Sequence, residues 1–258
     1  MRWLDRIMTW LLCLSLLIAA IVAPALLLAR SPAYYRTQFE STGIYAKDGV
    51  PRAIRYVGGH GQHTAHFTDA QLDAIAAHII DFLFGDTEDF ALTMDGVSLN
   101  GEVQDGVAVF GEEAVTHMED VRVLMRAAGV AAQVAICLLP LLLLYLLLRR
   151  RECGRGFFRW VVSFFTAVLL AVGGFCLVTY RTAGKTPFPD AAWRNIHYLL
   201  FPFQPEKVAG SFFNDTLTQI LTLDLFMTAV LTVLSVLAIS LLLLVLLAVR
   251  MRRSGLDF

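Results

Sequence analysis

The sequence places no cysteine where an exported domain would use one. Cys13, Cys137 and Cys176 fall inside long apolar runs and Cys153 lies in an arginine-rich stretch, so the two long polar segments contain none. A disulfide-stapled ectodomain is excluded, and so is a cysteine nucleophile in those segments. Other nucleophile signatures are missing too: no Gly-x-Ser-x-Gly elbow occurs, and Ser31, Ser41, Ser98 and Ser211 stand in no recognisable motif. Glycine loops that cradle phosphate are absent as well. An enzyme built on this chain is therefore expected to need no cofactor and to work by proton transfer and positioning. Positive charge is scarce between residues 29 and 129, where 15 acidic residues face 7 basic ones. That balance argues against nucleic acid as a partner.

Apolar sequence is abundant. Hydrophobic residues make up 57% of the chain and its mean hydropathy is +0.63, above the roughly 45 to 50% apolar content of a soluble domain. Four runs can each cross a hydrocarbon core, which takes about 20 residues of helix: Trp10–Leu28, Val130–Leu148, Val161–Val178 and Leu223–Val249. Only Asp224, at the edge of the fourth, is charged. Ala23-Pro24-Ala25 resembles a signal-peptide cleavage site, but the run continues through Leu28, beyond a usual signal core of about 7 to 15 residues, so the span is expected to be retained.

Orientation follows from the arginines. Arg2 and Arg6, then Arg149, Arg150, Arg151, Arg155 and Arg159 in a loop at 149–160, then Arg250, Arg252 and Arg253, all fall on one side. The positive-inside rule makes that side cytoplasmic, along with both termini. Segments 29–129 and 179–222 are left outside. The expected fold is a four-transmembrane-helix bundle with an extracytoplasmic cap, α/β or mostly β.

Within the first outer segment, Tyr34–Tyr45 favours a strand and Lys47–Pro51 a turn. Thr68 and Gln71 form a capping box ahead of an apolar helical face at Leu72, Ile75, Ala76, Ile79, Ile80 and Leu83. Phe90–Met94 and Val97–Phe110 read as short strands broken by Asp95-Gly96, Asn100-Gly101 and Asp105-Gly106 turns. From Glu112 a helix runs toward the second span. It places Glu113 one turn before His117 and Asp120 one turn after. In the second outer segment Trp193, Ile196, His197, Leu200 and Phe201 align on an interfacial helix.

These patterns leave several histidine readings open. His60, His63 and His66 have a spacing compatible with zinc, but glycines flank them and no acidic or cysteine ligand sits nearby, which favours a solvated loop. His78 reads as structural or exposed. His117 is the strongest candidate, since a carboxylate one turn away can fix its tautomer and raise its basicity; the competing reading is a surface histidine on an acidic helix. His197 reads either as a functional group or as a packed interface residue.

Phe110-Gly-Glu-Glu-Ala-Val-Thr-His-Met-Glu-Asp-Val-Arg-Val-Leu124 resembles the motif of the bacterial lipoprotein intramolecular transacylase family, a glutamate followed by His-Met/Phe-x-Asp-Val-Lys/Arg. Trp193-Arg-Asn-Ile-His-Tyr-Leu-Leu-Phe-Pro202 is similar to that family's second signature, with Phe203-Gln204-Pro205 standing where a tryptophan follows. The resemblance implies an intramolecular acyltransferase of the bacterial plasma membrane. It would move the sn-2 acyl chain of a diacylated lipoprotein to the amine of its N-terminal cysteine, without an acyl-enzyme. It further implies catalytic roles for His117, His197, Asp120 and Glu113, contact of Trp193, Leu200 and Phe201 with the acyl chains, and membrane lipid and lipoproteins as partners. The chief alternatives are a non-catalytic membrane sensor or accessory subunit with a peptide-binding cap, and a metal-binding protein using His60, His63 and His66.

Overall fold

The computed structural model describes residues 2–46, 52–58, 61–85, 87–201 and 216–254. The expected turn at Lys47–Pro51 and His60 lie outside these residues. The chain forms two compact units, one of residues 1–23, 130–208 and 233–258, the other of residues 24–129 and 209–232.

The helical unit is built on four long helices: α1 (Arg2–Ala29), α4 (Glu112–Leu148), α5 (Arg150–Ala183) and α8 (Leu223–Ser254). Each contains a stretch long and apolar enough to span a membrane. One buried cluster draws on all four, with Leu12 and Cys13 from α1, Leu146 from α4, Phe157 and Val161 from α5, and Ala248 from α8. Leu169, Leu170, Leu231 and Leu246 point outward, as side chains facing lipid do. Pro24 and Pro140 sit inside α1 and α4, as membrane helices tolerate.

A polar lock closes one end of this unit. Asp5 is buried; its carboxylate pairs with Arg149 Nε at 3.0 Å and accepts from the Tyr145 hydroxyl at 3.0 Å. The arginine-rich stretch 149–160, expected as a loop, is helical from Arg150 onward.

The second unit is mixed α/β. Helix α2 (Pro32–Ser41) precedes strands β1 (Ala53–Gly58) and β2 (Gly61–His66), helix α3 (Asp69–Phe84), and the short strands β3 (Thr93–Met94), β4 (Val97–Leu99), β5 (Glu102–Gln104) and β6 (Val107–Ala108). A four-stranded antiparallel sheet runs β1-β2-β4-β5, and β3 pairs with β6. The strand expected over Tyr34–Tyr45 is instead α2. Ser31 caps it by accepting from Tyr34 N at 3.3 Å, and Pro32 at its start presets the helical φ. Tyr35 and Phe39, four apart, then bury on one face. The helix-start signal overrides the β preference of the aromatics.

Other local signals act as read. Thr68 accepts from Gln71 N at 3.2 Å while Gln71 Oε1 accepts from Thr68 N at 2.9 Å, which completes the capping box of α3. The Asp-Gly turns clasp each other: Asp105 accepts from Gly96 N and Asp95 from Gly106 N, each at 2.8 Å. Both glycines have φ of +68°, a conformation that side chains with Cβ resist. The edge of β1 is covered by the Gln219 side chain of α7 (Thr216–Ile220), which accepts from Arg55 N at 2.9 Å and donates to Arg55 O. An edge so paired is closed to another strand. The core joins Phe39, Phe67, Ile75, Ile79, Phe82 and Phe90 to Ala114 and Met118 of α4.

Two substitutions test this account. Thr68→Ala is expected to cost about 1 kcal/mol, the usual worth of an N-cap, seen as a lowered unfolding temperature in detergent. Asp5→Ala removes an acceptor for a charged donor and is expected to cost about 2 kcal/mol; an unchanged melting curve would dismiss the lock.

Candidate active site

Helix α4 begins at Glu112 and carries His117 one and a half turns in. Ala114, Met118, Val121 and Met125 pack into the core of the α/β unit. His117 shares that face by helical spacing and is only 9% exposed. The surface-histidine reading therefore does not hold. Glu113 is exposed, whereas Asp120 is half-buried and its Oδ2 is shielded without accepting a hydrogen bond among the described residues. A shielded carboxylate oxygen is costly when left without a donor.

Arg122, two residues on, fixes how this part of α4 sits. Its guanidinium lies 4.6 Å over the Phe82 ring and reaches the carbonyls of Gly85 at 3.5 Å and Glu88 at 3.4 Å. It thus holds the C-terminal end of α3, where backbone carbonyls lack helical donors. Phe82 in turn packs on Phe90, which stacks on Phe110 at 4.5 Å. Arg122 was missed as a positioning group; its place in the His117 motif was the available signal.

His197 lies on α6 (Phe188–Leu200), which follows α5 through Gly184 at φ +62°. Asn195 Nδ2 donates to Thr179 Oγ1 at 3.1 Å and Thr182 Oγ1 at 3.3 Å, and Arg194 reaches the Thr182 carbonyl at 3.5 Å. These bonds tie α6 to the end of α5. His197 Nδ1 lies 2.9 Å from the Trp193 carbonyl oxygen. A carbonyl only accepts, so Nδ1 carries the hydrogen and the neutral ring has its lone pair on Nε2. The Trp193 ring meets the imidazole edge-on at 4.4 Å and Phe201 lies 6.0 Å beyond it. Burial lowers the His197 pKa below its ordinary 6.5, outweighing the bond to Trp193, which acts the other way. Leu200 is 45% exposed and Phe201 half-buried, so the first of these two presents open apolar surface.

The remaining histidines among the described residues do not gather. His63 and His66 stand three apart on β2, and alternation along a strand sends them to opposite faces. His63 Nδ1 accepts from Asn100 Nδ2 at 2.9 Å. His78 Nε2 donates to the Phe90 carbonyl at 3.0 Å and supports the loop after α3, a structural role. Among the described residues no group of three His, Cys, Asp or Glu could hold a metal ion.

Fold and site together define a multi-pass membrane protein with a mixed α/β unit and histidines held in two short motifs. The family profile described as "Lipoprotein intramolecular transacylase Lit" matches residues 7–202, a stretch that contains both motifs. The chain therefore belongs to the lipoprotein intramolecular transacylase family, and it is an acyltransferase. Its fold is similar to that of the membrane-integral lipoprotein intramolecular transacylase Lit from Bacillus cereus, with a TM-score of 0.60, 13% identity and 98% of each chain covered. No curated protein sequence matches it.

The environment of His197 has a measurable consequence. With its pKa lowered, the folded ring stays neutral as pH falls through 6.5, whereas an unfolded histidine begins to take up a proton there. Stability is thus expected to decline as pH drops below 6.5 toward the folded value. Ring-nitrogen NMR checks this, and a midpoint at or above 6.5 would contradict it.

Proposed function

We propose that this transacylase moves the sn-2 acyl chain of a diacylglyceryl-modified lipoprotein onto the α-amine of its N-terminal cysteine, leaving an N-acyl, S-monoacylglyceryl lyso-form. The observation that carries this reading is His117, buried on α4, with Asp120 one helical turn on, whose Oδ2 is shielded and accepts no hydrogen bond among the described residues. The pair is suited to receive a cationic amine and remove its proton.

Ester and amine belong to one substrate molecule, so holding them in line can supply about 7 to 11 kcal/mol through proximity. The chain then needs no acyl-enzyme, consistent with polar segments that lack cysteine. An α-amine with a pKa of about 7.7 to 8.0 is mostly protonated at neutral pH, and a histidine titrating near 6.5 is matched to accept that proton. His117 takes it, with Asp120 or Glu113 orienting the imidazole. His197 acts on the oxygen side of the reaction, at the tetrahedral oxyanion or the departing glycerol oxygen. Trp193, Leu200 and Phe201 offer apolar surface to the acyl chains. The arginine distribution supports cytoplasmic termini and a reaction on the opposite face of a bacterial plasma membrane.

Mass spectrometry of a synthetic diacylated lipopeptide, incubated with purified protein, tests the reading. Wild type is expected to shift one acyl chain from glycerol to the amine at unchanged total mass. His117→Ala is expected to slow this by about 10² to 10⁴-fold, the usual range for a lost acid–base group. Asp120→Asn should slow turnover while leaving the unfolding temperature unchanged; full activity would remove Asp120 from the mechanism. No rearrangement by wild type would return the sensor reading to the front.

A further inference from the structure

Three cations gather where the arginine pattern gives no reason for them. Arg181 and Lys185 are exposed and Arg194 is half-buried at the corner between α5 and α6. The arginine-rich stretch 149–160 lies at the other end of α5, and the orientation rule it satisfies asks for few basic residues at this one. Residues 179–200 hold one carboxylate, Asp190. Among the described residues neither it nor any other carboxylate pairs with these three side chains. Arg194 is brought to the same turn of α5 as Arg181, because its guanidinium reaches the carbonyl of the adjoining Thr182 at 3.5 Å.

Apolar surface adjoins these charges. The apolar run of α5 ends at Val178, so Arg181 follows it by about 4.5 Å at about 1.5 Å per residue, the depth at which headgroups meet hydrocarbon. Tyr180, between them, is 72% exposed, and amphipathic rings favour that layer. Leu177 and Val178 of α5 and Leu199 of α6 are each more than half exposed. The Asn195 bonds to Thr179 and Thr182 hold the two helices side by side. A ligand seated here meets positive charge at one end and apolar side chains at the other, with the long arginine and lysine stems covering the step between.

We propose that the α5–α6 corner binds an anionic glycerophospholipid of the bilayer, its phosphate among Arg181, Lys185 and Arg194 and its acyl chains along Leu177, Val178 and Leu199. Charge decides the class. Three cations against one carboxylate leave an excess of positive charge, which an anionic headgroup offsets and a zwitterionic one, with its own ammonium, does not. On the transacylase reading the lipid of the substrate cannot supply this charge, since a thioether-linked diacylglycerol carries no phosphate. The phospholipid is therefore a partner distinct from the substrate. It seats α6, the helix that carries His197, at the height of the headgroups.

The test uses full-length protein in phosphatidylcholine vesicles that contain a phosphatidylglycerol with a photoactivatable headgroup, and labelled peptides are mapped by mass spectrometry. Wild type is expected to be labelled within residues 177–200, with unlabelled phosphatidylglycerol competing and added phosphatidylcholine not. Each cation near an anionic headgroup contributes about fivefold in binding, so the double variant Arg181→Gln, Lys185→Gln is expected to lower labelling of this segment by about 25-fold. Among the described residues neither side chain makes a hydrogen bond, so the variant is expected to fold. Unchanged labelling of the stretch 149–160 verifies that it has inserted intact. Absence of label from residues 177–200, equal competition by phosphatidylcholine, or undiminished labelling of the double variant would overturn the site. Competition by a diacylated lipopeptide but not by phosphatidylglycerol would assign the corner to the substrate and overturn it as well. None of these readouts measures acyl transfer, so failure of the site and failure of the transacylase reading are told apart.

Discussion

Backbone polar groups in a hydrocarbon slab must find their hydrogen bonds within the chain, and this constraint shapes the rest of the protein. It turns each of four apolar runs into a continuous helix. One of these, α4, does not stop where its apolar run begins. At 37 residues it is nearly twice as long as a crossing requires, since about 20 residues suffice. Its polar first third is therefore available for another purpose, and Ala114 and Met118 use it to enter the core of the α/β unit. His117 is buried because it lies on the same stripe. An apolar stretch long enough to span a membrane and a buried histidine are two parts of one uninterrupted element.

Each candidate histidine lies on a helix that neighbouring side chains fix in place. For His117 the holding group is Arg122, whose contacts with Phe82, Gly85 and Glu88 join α4 to the end of α3. For His197 it is Asn195, bonded to two threonines of α5, together with the Trp193 carbonyl. Reactions that gain their rate from orientation depend on such supports, since a displacement of about 1 Å can cost about 10²-fold.

Much of this was legible in the sequence, for physical reasons that differ by element. The spans are visible because lipid allows few charges. The α3 start and the Asp-Gly turns are visible because capping and positive φ restrict residue choice locally. Helix α2 was misread because its aromatics suit either structure, and the deciding signal was the Ser31-Pro32 pair before them. The arginine-rich stretch reads as a loop because its arginines mark the cytoplasmic side between two spans, yet arginine is a good helix former. Burial of His117 could not be read from spacing with acidic neighbours, since it depends on a tertiary contact. The tautomer of His197 depends on a carbonyl four residues back that any residue there would supply, so side-chain identity carries no trace of it.

The thin representation of reactive residues in this chain agrees with the chemistry it is proposed to perform. A transferase that must first take an acyl group onto itself needs a nucleophile, a base to activate it and a means of excluding water from the acyl-enzyme. When donor and acceptor share one molecule, those demands reduce to bringing two atoms together and moving protons between them. On the proposed reading two imidazoles in different settings carry those protons: one on a packed helix face with a carboxylate one turn on, one between aromatic rings with its Nδ1 hydrogen held by a carbonyl.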